Sequence, residues 1–171
     1  SNIGRYIFGG FSRCLYPVQK FHSNPERILA VILEREAVRW FRPVPGQFQI
    51  RYRRGADHPE YIPDFVAELT DRIVMFEVKA KNETSDPEVR AKAEAARAWC
   101  AHATGYARSQ GGKPWFYVII PHDLVSENMF VDGLLQRAML SIAVGPSVGR
   151  ARTTELLRTE ANFLQRQCLT Y

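Results

Sequence analysis

The chain has 171 residues, 46% of them hydrophobic, and a net charge of +5 from 23 Lys and Arg against 18 Asp and Glu. That length suits one domain, able to bury roughly 70% of its extended-chain surface without disulfides. The composition excludes a disordered tail, a collagen-like rod and a membrane span. The positive balance leans toward a polyanionic partner. Cys14, Cys100 and Cys168 form no CxxC pair, which argues against structural zinc and fits a reducing cytoplasm. Arg5 and Arg13 flank a segment broken by Gly9, Gly10 and Ser12, which does not read as a signal peptide.

Along the chain, residues 1–22 mix aromatics with Gly and Pro and read as an extended N-terminal arm. Ser23-Asn24-Pro25-Glu26 opens a helix, with Ser or Asn as cap and Pro in the first turn. Ile28, Leu29, Ile32, Leu33 and Val38 supply its apolar stripe, and Pro43 and Pro45 stop it by about Phe41. Three strands are expected next: Gln47 to Arg53, Tyr61 to Leu69, and Ile73 to Ala80. In the first, Phe48, Ile50 and Tyr52 share one face, and Gln49, Arg51 and Arg53 the other. After Asp86-Pro87 an Ala-rich helix runs to about Tyr106, and Trp115 to Ile120 is a continuous apolar strand suited to the middle of a sheet. A helix is expected over Leu124 to Leu140 and another over Arg152 to Gln167. The order αβββαβ, then helices, predicts an α/β fold with a mixed central sheet between helices.

Two strands carry the chemistry. Alternation puts Ile73, Met75, Glu77 and Lys79 on one face. The first two are apolar, so the charges at the strand's end break a buried pattern, and burying an unpaired charge is costly. A two-residue loop at Thr70-Asp71 pairs Leu69 with Arg72 and sets Asp64 directly opposite Glu77. Cross-strand partners have Cβ atoms about 4.5–5.5 Å apart. Two carboxylates so placed repel unless a cation lies between them or one holds a proton. Their hard oxygens suit a divalent ion, Mg²⁺ above all. Lys79 follows about 6.6–6.8 Å along the same face, where its ammonium can stabilise an anion held beside the metal. Metal plus lysine is a phosphoryl-transfer arrangement.

Other residues divide between roles. Ser23-x-x-Glu26 is a capping box, and Glu26 serves either that cap or, through water, a metal site. Gln49, Arg51, Arg53 and Lys81 are candidate DNA contacts, with Arg54, Arg90 and Lys92 as further basic residues. His22, His58, His102 and His122 show no ligand spacing. Trp40, Trp99 and Trp115 read as packing residues.

A helix with Glu26, Pro63-Asp64 on one strand and Glu77-Val78-Lys79 on the next resembles the PD-(D/E)xK nuclease superfamily. Cys14-Leu15-Tyr16-Pro17, Lys20-Phe21, Ser23 with Pro25-Glu26-Arg27, and Gln47-Phe48 with Ile50 resemble the C-terminal endonuclease region of type III restriction enzyme Res subunits and related helicase-nucleases. So do Pro63-Asp64-Phe65-Val66-Ala67-Glu68, Asp86-Pro87-Glu88-Val89, Gly111-Gly112-Lys113-Pro114-Trp115 and Ile120-Pro121-His122-Asp123. The likeness covers residues 7–123 and fades beyond. It implies a restriction-endonuclease-like fold that cleaves double-stranded DNA with Mg²⁺, for which Mn²⁺ substitutes. Asp64 and Glu77 would be the metal ligands, Lys79 the catalytic lysine and Glu26 an auxiliary carboxylate. It also implies a helicase or translocase region earlier in a parent chain, a methyltransferase subunit that sets specificity, and a cytoplasmic setting. The division it suggests is an arm over 1–22, a nuclease core over 23–123 and a helical extension over 124–171, within one compact domain. Two other functions compete: a DNA-binding or docking module with a vestigial site, and a repair-type nuclease with the same chemistry.

Overall fold

The computed structural model describes residues 2–143, and side chains as far as Ser141. Ser1–Ala138 makes one compact unit and Met139–Tyr171 a second, of which only the end of the last helix is described. The expected helix over Arg152 to Gln167 lies outside the described residues.

The arm is folded, not extended. A short 3-10 turn, Ile3–Arg5, leads into a two-stranded antiparallel ribbon of β1 (Phe8–Gly9) and β2 (Val18–Gln19). Its aromatic residues have somewhere to go: Phe8 and Phe11 pack on the buried Phe21 ring at 5.4 and 6.2 Å, and Phe11 meets Trp40 edge-on at 5.1 Å. One carboxylate ties the arm down. Glu34 accepts from the Ser12 N–H (2.7 Å) and hydroxyl (2.8 Å), the Arg13 N–H (3.0 Å) and Trp40 Nε1 (2.8 Å). Those donors outweigh partial burial and hold the Glu34 carboxyl below its usual range.

Helix α1 (Asn24–Glu36) starts as expected, with the Ser23 Oγ accepting from the Glu26 N–H. It ends five residues earlier than predicted. Val38 does not join the buried stripe and is exposed; Arg39–Phe41 forms β3 instead. Two causes act together. Val, Trp and Phe favour a pleated, half-buried surface, and a partner strand is at hand: Trp40 pairs with Ala67 and is fully buried. The Arg13 guanidinium caps the helix end through the Arg35 and Ala37 carbonyls.

The predicted strand Gln47 to Arg53 shrinks to β4 (Ile50–Arg51), paired with β5 (Glu60–Tyr61) in a separate small sheet. Gln49 has φ 53°, a left-handed conformation that interrupts an extended run. The alternation nevertheless survives in burial, with Ile50 and Tyr52 in the core. The predicted strand Tyr61 to Leu69 splits as well, into β5 and β6 (Phe65–Glu68). Pro63 has no N–H for a ladder, and the chain bends at Asp64.

Strands β6 and β7 (Ile73–Lys79) form the expected hairpin in the expected register: Leu69 N–H donates to the Arg72 carbonyl, and Phe65 faces Phe76. Helix α2 (Pro87–Ser109), capped by Asp86, crosses over to β8 (Trp115–Pro121), which lies parallel to β7. It runs to Ser109, three residues past the expected end near Tyr106. The sheet order is β3-β6-β7-β8, antiparallel except for the last pair. The protein is therefore mixed α/β, with a central mixed sheet flanked by helices. Leu124 closes a 3-10 turn, and α3 begins only at Val131 and runs to Ala143.

The two faces of the sheet have different cores. Val74, Phe76 and Val78 point to α1 and α3, packing with Leu29, Leu33, Trp40, Phe65 and Leu134. Met75 points the other way, to Ala96 and Cys100 of α2 with Ile50, Tyr52 and Tyr61. Alternation along β7 sends Glu77 and Lys79 to this second face.

Candidate active site

Asp64 and Glu77 come together where β6 begins and β7 nears its end. The ladder stops at Phe65 and Phe76, and the next step is taken by a side chain: Asp64 Oδ2 accepts the Val78 N–H at 2.8 Å. That bond fixes the carboxylate against the neighbouring strand and aims it across the hairpin. Asp64 also lines a cleft of about 670 Å³, walled in part by Tyr16, Gln19, His22, Arg42 and Ile62. Asp64 itself is half-buried.

Glu77 is almost fully buried, 5% exposed. Its Oε1 forms an ion pair with Lys79 Nζ at 2.9 Å, and its Oε2 accepts from the Tyr61 hydroxyl at 2.6 Å. Burial, the negative field of Glu77 and a smaller contribution from Glu26 push the Asp64 carboxyl up to about 7, against the Val78 N–H and Lys79. Burial works against the Lys79 charge, but Glu77 beside it, with Asp64 and Glu83, raises its pKa, so the side chain stays an ammonium. Glu77 and Lys79, expected on one face of β7, pair with each other there.

Glu26 is built as a cap. Its Oε1 accepts from the Ser23 hydroxyl (3.1 Å) and its Oε2 from the His22 N–H (3.2 Å), while Arg42 Nη2 pairs with Oε2 at 2.9 Å. Glu26 reaches the site through that arginine. Arg42 Nε donates to the Asp64 carbonyl (3.3 Å), and its Nη1 donates to the Lys20 carbonyl. The guanidinium lies over the Phe21 and Phe65 rings at 5.5 and 5.2 Å.

The candidate DNA contacts are exposed and none touches the carboxylate pair. Arg51 Nη1 donates to the His58 carbonyl (3.3 Å), Arg53 Nε to the Gly55 carbonyl (3.3 Å), and Lys81 pairs with Asp123 at 3.7 Å. Gln49 stands out only for its left-handed backbone.

Three residues at the site were not singled out from sequence. They are Arg42, Tyr61 and Tyr117, and the two tyrosines are in contact. Their rings meet edge-on at 6.1 Å, and their hydroxyls lie 3.3 Å apart. Burial, first, and the Glu77 charge hold both phenols well above their usual range. The one available signal for Tyr61 was its place three residues before Asp64 on the same predicted strand.

Two carboxylates with a lysine can hold a divalent cation with oxygen donors, and the strained protonation of Asp64 is what such an ion relieves. Among the described residues no cluster of three or more His, Cys, Asp or Glu converges. Among the described residues, too, no helix is long and apolar enough to cross a membrane. Comparison with protein families, curated proteins and solved structures finds no match to this chain.

Proposed function

We propose that this chain carries the active centre of a Mg²⁺-dependent DNA endonuclease of the PD-(D/E)xK type, on a restriction-endonuclease-like fold related to the type III Res subunits. The observation that carries the reading is the geometry at the end of the β6–β7 hairpin. Asp64 and Glu77 follow directly on the facing pair Phe65 and Phe76, the Glu77 charge raises the Asp64 pKa, and Lys79 lies on Glu77 at 2.9 Å. A structural hairpin gains nothing from such an arrangement, which costs stability. The element order also fits: α1, then β3, β6 and β7, then α2 and β8 is the αβββαβ series. The first of its central-sheet strands is β3, not the segment expected from the sequence.

Asp64 and Glu77 would hold Mg²⁺, or Mn²⁺ in its place, which supplies positive charge at the scissile phosphate and a more acidic water. The rest falls to the chain's own groups. Lys79, half-buried and cationic, donates to the charge that develops on the phosphate oxygens. Arg42 and Glu26 keep the backbone at Asp64 in place. Arg51, Arg53, Lys81 and Gln49 grip duplex DNA outside the centre. A helicase or translocase region, a methyltransferase subunit and a cytoplasmic setting belong to the same proposal.

The test is nicking of supercoiled plasmid with Mg²⁺ and with chelator, beside calorimetric Mn²⁺ titration. Lys79→Ala should keep metal affinity and most DNA affinity while losing cleavage by orders of magnitude, because its contact matters mainly in the transition state. Cleavage that survives both chelator and Lys79→Ala would refute the mechanism.

A further inference from the structure

Glu77 is gripped at both oxygens by groups of different kinds. Lys79 on Oε1 is a cation, at 2.9 Å. Tyr61 on Oε2 is a neutral donor, which fixes the oxygen and leaves the negative charge intact. A phenol has one proton. At 2.6 Å from a carboxylate and 3.3 Å from the Tyr117 oxygen, Tyr61 gives that proton to Glu77. Tyr117 must then donate to the Tyr61 oxygen, which strengthens Tyr61 as a donor. The Tyr61 ring cannot swing away. It is 4% exposed, its backbone is paired to Ile50, and Tyr117 stands edge-on to it.

Position completes the case. The bend at Pro63-Asp64 places Tyr61 in the small β4–β5 sheet and Asp64 at the head of β6, yet Tyr61 bonds Glu77 and Asp64 bonds the next residue, Val78. The two strands of the interrupted run thus approach the end of β7 from two directions.

We infer that Tyr61 is a positioning residue of the carboxylate centre: it immobilises Oε2 of Glu77 and so presents Oε1 to a divalent cation. This rests on the nuclease reading above. A bond that only stabilised the fold would change melting and leave metal binding alone. A positioning bond changes metal affinity, by roughly 10–100-fold for groups that orient a ligand.

Calorimetric Mn²⁺ titration of the full chain separates these, with wild type, Tyr61→Phe and Tyr117→Phe compared at one pH alongside their melting temperatures. Tyr61→Phe should bind Mn²⁺ roughly 10–100-fold more weakly with unchanged stoichiometry. Tyr117→Phe, which removes only the supporting donor, should weaken binding severalfold. If Tyr61→Phe does not fold, Tyr117→Phe decides, and unchanged Mn²⁺ affinity there overturns the inference. Wild-type affinity in a folded Tyr61→Phe chain overturns it too and leaves the nuclease reading standing. A wild type that binds no Mn²⁺ removes the metal centre, and both readings fall.

Discussion

The conflict between Asp64 and Glu77 has a measurable cost. In the unfolded chain Asp64 is an ordinary aspartate near 3.8, and in the folded chain it titrates at about 7. The folded state therefore holds an extra proton between those values. Stability without metal should fall as pH rises through that window, since the native state then gives up the proton it favours. At about 1.36 kcal/mol for each pH unit, the full gap is worth about 4 kcal/mol at pH 8. Asp64 is not fully buried, and solvent screens part of that, so about 2–4 kcal/mol is a fair range. Asp64→Asn removes the charge and keeps an oxygen to accept the Val78 N–H. In chelator at pH 8 the variant should therefore be more stable than wild type by about 2–4 kcal/mol, with the difference shrinking toward zero near pH 4. Urea denaturation at the two pH values measures it. Saturating Mg²⁺ or Mn²⁺ should stabilise wild type and leave Asp64→Asn almost unmoved. A variant that is less stable than wild type at pH 8, or a difference independent of pH, would show that the two carboxylates do not oppose each other.

Glu26→Gln keeps most of the cap but strips Arg42 of its counter-charge. We expect a loss of about 2 kcal/mol in stability, read from melting temperature, with cleavage reduced and not abolished; intact stability with lost turnover would assign Glu26 to water at the metal. Gln49→Gly should relieve the left-handed backbone and raise stability by up to about 1 kcal/mol. If that strain is kept for a DNA contact, the same variant should bind duplex less well in a fluorescence titration.

The parts of the fold legible in the sequence are those fixed by local chemistry. Ser23 and Asp86 announce their helices, and the alternation of β7 with the short loop at Thr70-Asp71 fixes both the hairpin register and the meeting of Asp64 with Glu77. What was not legible depends on partners distant in sequence. Val38 continues a helical spacing, and only the β6 edge beside it turns Arg39–Phe41 into a strand. Gln49 looks like one more polar residue in an alternating strand, and nothing in the spacing shows a positive φ. Arg42 reads as solvated until Phe21 and Phe65 come together beneath it. Tyr61 fits any core, and its role exists only because Pro63 breaks the run and hands Tyr61 to a different sheet.

The two-residue turn at Thr70-Asp71 is solvent-exposed, and Glu77 lies five steps along the strand from Arg72, about 17 Å of chain. Surface loops ordinarily drift in length at little cost. Here the two-residue turn agrees with the parity of the pairing: a slip of the strands by one residue would carry Asp64 and Glu77 to opposite sides of the sheet. The turn thus acts as an indexing pin. Its length, more than its side chains, matches the face of the sheet that each carboxylate of the pair occupies.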